Sequence, residues 1–169
     1  MTYLIRSLLL IAGLVFTGYT FAQLPFPEMI GKNLNDEEAV LPQDFSSRYT
    51  LVLMPLQQNH EATFRTWEEY LKTFANNNTE FDFYQVLPLG DLNFFLKGII
   101  GGALKGAYDD TVKPRTMPLF AESEPIFEAL SIADDSEMHV LLVQNQMVIW
   151  RTTGEWSQDK AVQLEQLLN

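Results

Sequence analysis

The chain has 169 residues, no cysteine, and 22 acidic against 11 basic side chains. Its apolar share of 47%, with 12% aromatic residues, is that of a chain with enough apolar surface to fold rather than stay disordered. The acidic balance argues against nucleic acid and anionic lipid as charge-driven partners, since their phosphates would be repelled. Without cysteine, thiol redox chemistry and disulfide support are both excluded.

The first 22 residues read as a cleavable secretory signal. Arg6 supplies the positive end, Leu8 to Phe16 form an apolar stretch interrupted only by Gly13, and Thr20 and Ala22 are small enough for a signal peptidase, which puts cleavage before Gln23. The apolar run is short for a membrane span, which wants about 18 or more residues. The expected organisation is a signal at 1–22 followed by a single domain at 23–169, with no integral membrane span after cleavage. Residues 1–22 hold one arginine and no acid, so the 147 residues that follow carry 10 basic and 22 acidic side chains, a net charge of −12. The expected location is periplasmic or secreted.

After a proline-punctuated entry, Leu24-Pro25-Phe26-Pro27, a hairpin or loop is expected from Gly31 to Pro42. Thr50-Leu51-Val52-Leu53-Met54 is a continuous apolar run stopped by Pro55, the pattern of a strand buried on both faces. Phe64, Trp67, Leu71 and Phe74 recur at helical spacing, and Asn76-Asn77-Asn78 ends that helix. A second strand is expected from Phe81 to Leu87. Asp91 is the expected cap of a second helix, with Leu92, Phe95, Leu96, Ile99, Ala103 and Leu104 on its buried side. A short strand at Met117–Phe120 and a short helix at Glu124–Leu130 follow. His139–Val143 and Met147–Thr152 form a hairpin, and a helix over Gln158–Leu168 closes the chain. Alternating strands and helices imply a sheet with helices on both faces, and the terminal hairpin makes that sheet mixed.

This order of elements resembles the thioredoxin-like fold in its peroxiredoxin and thiol-disulfide oxidoreductase branch. Gly31-Lys32-Asn33-Leu34 with Leu41-Pro42-Gln43-Asp44-Phe45 is similar to that branch's N-terminal hairpin. Thr50–Met54 is similar to its first core strand, and Met138–Gly154, with Trp150 and Gly154, to its closing hairpin. The resemblance spans residues 27–168 and implies an α/β three-layer sandwich. It also shows two departures. Where active members carry a cysteine motif, this chain reads Met54-Pro55-Leu56-Gln57-Gln58-Asn59-His60. Where they place a cis-proline before the closing hairpin, it reads Glu137-Met138-His139. A weaker similarity links Trp67, Arg115, Leu130-Ser131-Ile132 and Val148-Ile149-Trp150-Arg151 to a family of ATP synthase assembly factors, thioredoxin-like and largely non-redox, which implies an assembly or interaction role.

Two regions are candidates for function. The first is the vacated cleft at Pro55, Gln57, Gln58, Asn59 and His60. His60 stands where the resemblance puts the nucleophile, and an imidazole at a helix N-terminus is disfavoured as a cation, so it could act as a neutral base. A polar surface turn is the plainer expectation. His60 and His139 lack the spacing of a histidine metal motif, and the acidic pairs lack that of a calcium loop; no cofactor or metal is expected. The second region is Phe94–Ala107, where four glycines suggest either close packing on another backbone or a mobile segment. Phe94 and Ile100 are expected to point away from the core and to form an interaction surface. The leading expectation is an exported, redox-inactive domain that binds another envelope protein. The alternatives are a non-redox enzyme or a small-ligand carrier using the cleft near His60.

Overall fold

The computed structural model describes residues 24–168; the expected signal and its cleavage point lie outside the described residues. The order of elements is β1 (Leu24–Pro25), β2 (Met29–Lys32), β3 (Glu38–Leu41), β4 (Tyr49–Met54), α1 (His60–Asn77), β5 (Phe81–Pro88), α2 (Phe94–Ala107), a 3-10 turn at Lys113–Arg115, β6 (Thr116–Leu119), α3 (Glu124–Ala129), β7 (His139–Gln144), β8 (Met147–Thr153) and α4 (Gln158–Leu168).

Six strands form one mixed sheet in the order β1-β8-β7-β4-β5-β6, and β2 and β3 form a separate hairpin. β4 runs parallel to β5 and antiparallel to β7, so it sits inside the sheet and is buried at all six positions. That is why its sequence is continuously apolar rather than alternating. The period of two still sorts its side chains. Leu51 and Leu53 join Phe83, Val140 and Leu142 beneath Phe64, Trp67 and Leu71 of α1 and Leu164 of α4. Val52 and Met54 join Val86, Leu141 and Val143 on the opposite face, with Met29 and Leu41 of the hairpin, Ile126 of α3 and Leu130 just after it. The result is the expected three-layer arrangement. β7 and β8 are joined by Asn145 and Gln146, both at positive φ, the backbone of a two-residue hairpin loop that follows the sheet twist.

α2 departs from the sequence expectation. Its cap is Asn93, whose side chain accepts a hydrogen bond from Leu96 N at 3.0 Å, while Asp91 pairs with Lys97 at 3.1 Å. None of its residues is fully buried. Phe95 is 73% exposed and Ile99 52%, so the expected buried stripe is wrong; among its members within the helix, Leu104 is the one that packs against the core. Ile100, expected to point outward, is half-buried. The cause is composition: every α2 position except Lys97 and Lys105 is apolar or glycine, so no stripe marks the inner face. A β-carbon built on Gly98, Gly101, Gly102 or Gly106 would meet nothing within 4 Å, so among the described residues these glycines do not pack closely on a neighbouring backbone.

Candidate functional site

The buried β4 delivers the chain to Pro55 at the C-terminal end of the parallel strands, and α1 begins five residues later. The turn between them, Gln57 to Asn59, is exposed, but His60 is only 3% exposed. The expected surface turn therefore ends on a buried imidazole. Asn59 at the helix cap makes no side-chain cap bond. Instead His60 folds back, and its Nδ1 accepts hydrogen bonds from Leu56 N at 3.1 Å and Gln57 N at 3.3 Å. Its Nε2 lies 3.1 Å from Ser136 O. Two backbone N–H groups aimed at Nδ1 and a carbonyl facing Nε2 hold the ring as the neutral Nε2–H tautomer. Both nitrogens are engaged, which leaves neither to exchange a proton with a substrate in this arrangement.

Ser136 belongs to the loop before β7, where the resemblance puts a cis-proline. That loop is tied down from several sides. The Asp134 carboxylate accepts from Ser136 N at 2.8 Å and Ser136 Oγ at 2.9 Å, and the backbone bond to Ser136 holds its pKa below the ordinary value. His139 Nε2 sits 2.8 Å from Asp134 O, so both histidines contact carbonyls of this one loop. Met138 is fully buried, and its carbonyl accepts from Gly154 N at 2.8 Å. Gly154 has φ +76°, and its own carbonyl accepts from Trp67 Nε1 at 3.0 Å. The two segments that would frame a thiol site are thus joined by an imidazole.

Beside this junction lies a cavity of about 450 Å³ between the β4–α1 turn, the end of β5 and the inner side of α2. Of the residues expected in the cleft, Pro55, Gln57 and Gln58 line it, whereas Asn59 and His60 do not. Ile100, assigned from sequence to the outer surface, is part of its wall together with Leu104 and Ala107. Sequence reasoning missed Gln85 and Tyr108, which also line it. Gln85 is fully buried. Its Oε1 lies 3.4 Å from Thr116 Oγ1, a hydroxyl that also meets Val112 O at 3.1 Å, and its side chain hydrogen-bonds Tyr108. Burial raises the Tyr108 pKa, while the neighbouring Gln85 amide works in the opposite direction. The one signal for Gln85 in the sequence is an amide within the otherwise apolar run Phe83-Tyr84-Gln85-Val86-Leu87.

α2 is fastened at its ends rather than along its length. Near its start Lys97 holds Asp91 and lies 3.4 Å from Phe120 O. Near its end Lys105 pairs with Asp36 at 2.6 Å, and the Lys105 hydrogen bond lowers the Asp36 pKa. Just beyond, Asp109 pairs with Lys72 of α1 at 2.6 Å. That hydrogen bond, with one from Thr111, holds Asp109 well below the usual carboxylate range. A second cavity, of about 490 Å³, runs between Gly98, Gly101 and Gly102 of α2 and the β2–β3 hairpin. On the outer face Phe94 is 93% exposed, as expected, beside Phe95 and Ile99.

This architecture is thioredoxin-like. Among solved structures, the chain is similar to the thioredoxin domain of a thiol-disulfide oxidoreductase from Bacteroides vulgatus, at TM-score 0.56 and 19% identity over 86% of this chain and 96% of that one. It is similar to the exposed lipoprotein thioredoxin of Streptococcus pneumoniae, at TM-score 0.55 and 11% identity over 82% and 97% of the two chains. It is also similar to BsSco, of the Sco family of cytochrome c oxidase assembly proteins, at TM-score 0.60 and 8% identity over 86% and 92%. The fold is thus that of thiol-disulfide oxidoreductases in a chain that has no cysteine. No family model and no curated protein matches the sequence.

Proposed function

We propose that this chain is an exported, redox-inactive thioredoxin-like module that binds another envelope protein, with α2 as its docking face. The observation that carries the reading is α2: a 14-residue helix without a buried residue, presenting Phe94, Phe95 and Ile99 to solvent. Clustered large apolar side chains at a surface mark interaction sites. The helix also lacks any acidic residue in a chain with 22 of them, so an acidic partner would meet no like charge on the helix itself. The signal-like segment at 1–22 supports export. An assembly role is supported by the resemblance to ATP synthase assembly factors and by the assembly family to which BsSco belongs. The engaged nitrogens of His60 weigh against an enzyme built on that residue.

The test is affinity capture from the envelope of the native host, comparing the wild type with Phe94→Asp/Phe95→Asp/Ile99→Asp. The variant is expected to lose a defined partner while its circular dichroism stays that of the wild type. Recovery of the same proteins by both would show that α2 is not the docking face.

A further inference from the structure

The exposed face of α2 has an internal order. Its N-terminal half presents Phe94, Phe95, Gly98 and Ile99, and its C-terminal half Gly102, Ala103, Gly106 and Ala107. Steps of three and four residues place these positions on one side of a helix. Counted from the midpoint between Ile100 and Gly101, each has a counterpart in the other half. Phe94 corresponds to Ala107, Phe95 to Gly106, Gly98 to Ala103 and Ile99 to Gly102. Every large side chain thus has a glycine or alanine as its counterpart. Of the exposed α2 residues, Leu96 alone falls outside the pattern, opposite the half-buried Lys105. The face bears no charge: Lys97 and Lys105 lie off it and hold Asp91 and Asp36.

A two-fold axis through that midpoint lays a second, antiparallel α2 across the first and brings each residue opposite its counterpart. Such an isologous contact uses the same patch twice and must be complementary to itself. This face is, large against small along its length. We propose that two copies of this chain pair through α2 in this register, with Phe95 and Ile99 of one copy lying over Gly106 and Gly102 of the other. The proposal rests on the reading of this face as a docking surface and adds a second copy as an occupant. Glycine inside a helix is destabilising relative to alanine, and a β-carbon at Gly102 or Gly106 meets nothing within its own chain. In the pair, the space above those two glycines is filled by the large side chains of the other copy. The contact is small. A 14-residue helix is about 21 Å long, and Phe94 and Phe95 together offer roughly 300 Å² per copy. That falls short of the roughly 1,200 Å² of a stable complex, so the pair is weak and reversible. At low concentration in an envelope the copies are apart, and the face is open to another protein.

Sedimentation velocity on the purified chain, from roughly 1 to 300 μM, tests the pairing. A monomer–dimer equilibrium is expected, with a dissociation constant of roughly 10–100 μM. Gly106→Phe has room in the single chain but meets Phe95 of the other copy, and is expected to raise that constant about tenfold or more. Phe95→Ala/Gly106→Phe exchanges large for small across the pair and is expected to restore dimerisation. A variant that merely misfolded would not be rescued by a second substitution on the opposite half of the helix. A chain that stays monomeric throughout would overturn the proposal. So would a dimer indifferent to Gly106→Phe, which would use another surface, or a failure of the exchange variant to pair, which would exclude the antiparallel register. A monomeric chain that still captures an envelope protein through α2 would overturn the pairing and leave the docking reading standing. A dimer with these variant effects but no captured partner would do the reverse.

Discussion

His60 joins the β4–α1 turn to the loop before β7, and its three polar contacts are to backbone groups. Removing the ring leaves two N–H groups and one carbonyl without their partner at a part-buried junction. His60→Ala is therefore expected to cost about 2–3 kcal/mol, by the usual penalty for stranding buried polar groups. A urea titration monitored by tryptophan fluorescence measures it, and a midpoint equal to that of the wild type would show that the ring is dispensable. This role was not legible in the sequence. His60 follows Gln57-Gln58-Asn59, which reads as a solvated turn, and its Nε2 partner lies 76 residues further along the chain. Local pattern carries no information about such a contact. The same holds for Gln85, whose burial follows from its place between β4 and β6 rather than from its neighbours in sequence.

At the scale of elements, legibility followed how one-sided each segment is. β4 could be read because a strand buried on both faces is continuously apolar, and Pro55 marks its end. α1 could be read because Phe64, Trp67 and Leu71 define one stripe, and all three are buried. α2 could be found but not oriented, since an apolar and glycine-rich helix has no preferred face in sequence. Its glycines lead to a separable expectation. Helix-interior glycine costs about 0.5–1 kcal/mol relative to alanine, and a β-carbon at Gly98 or Gly102 has open space around it. Gly98→Ala/Gly102→Ala is thus expected to raise the thermal midpoint of the isolated chain. If the proposed partner packs closely on this face, the same pair weakens its binding. Differential scanning calorimetry and a binding titration on one preparation read both effects. A lowered midpoint would mean that the glycines serve the fold of this chain itself.

For the whole molecule, a thioredoxin-like fold stands in a chain without cysteine. Where the resemblance puts a thiol and a cis-proline, the chain has a buried histidine bonded to a loop carbonyl, a non-redox junction between the same two segments. Two features flank α2: an acid-free apolar surface outside and a cavity of about 450 Å³ inside. The outer face is proposed to dock a protein. Photo-crosslinking in the native host tests it most directly, with benzoylphenylalanine placed at Phe95 and, as a control, at Val162, an exposed apolar position on α4. One discrete protein adduct is expected from position 95, absent from position 162 and lost when Phe94 and Ile99 are changed to aspartate. The same adducts from both positions, or none from position 95, would contradict it.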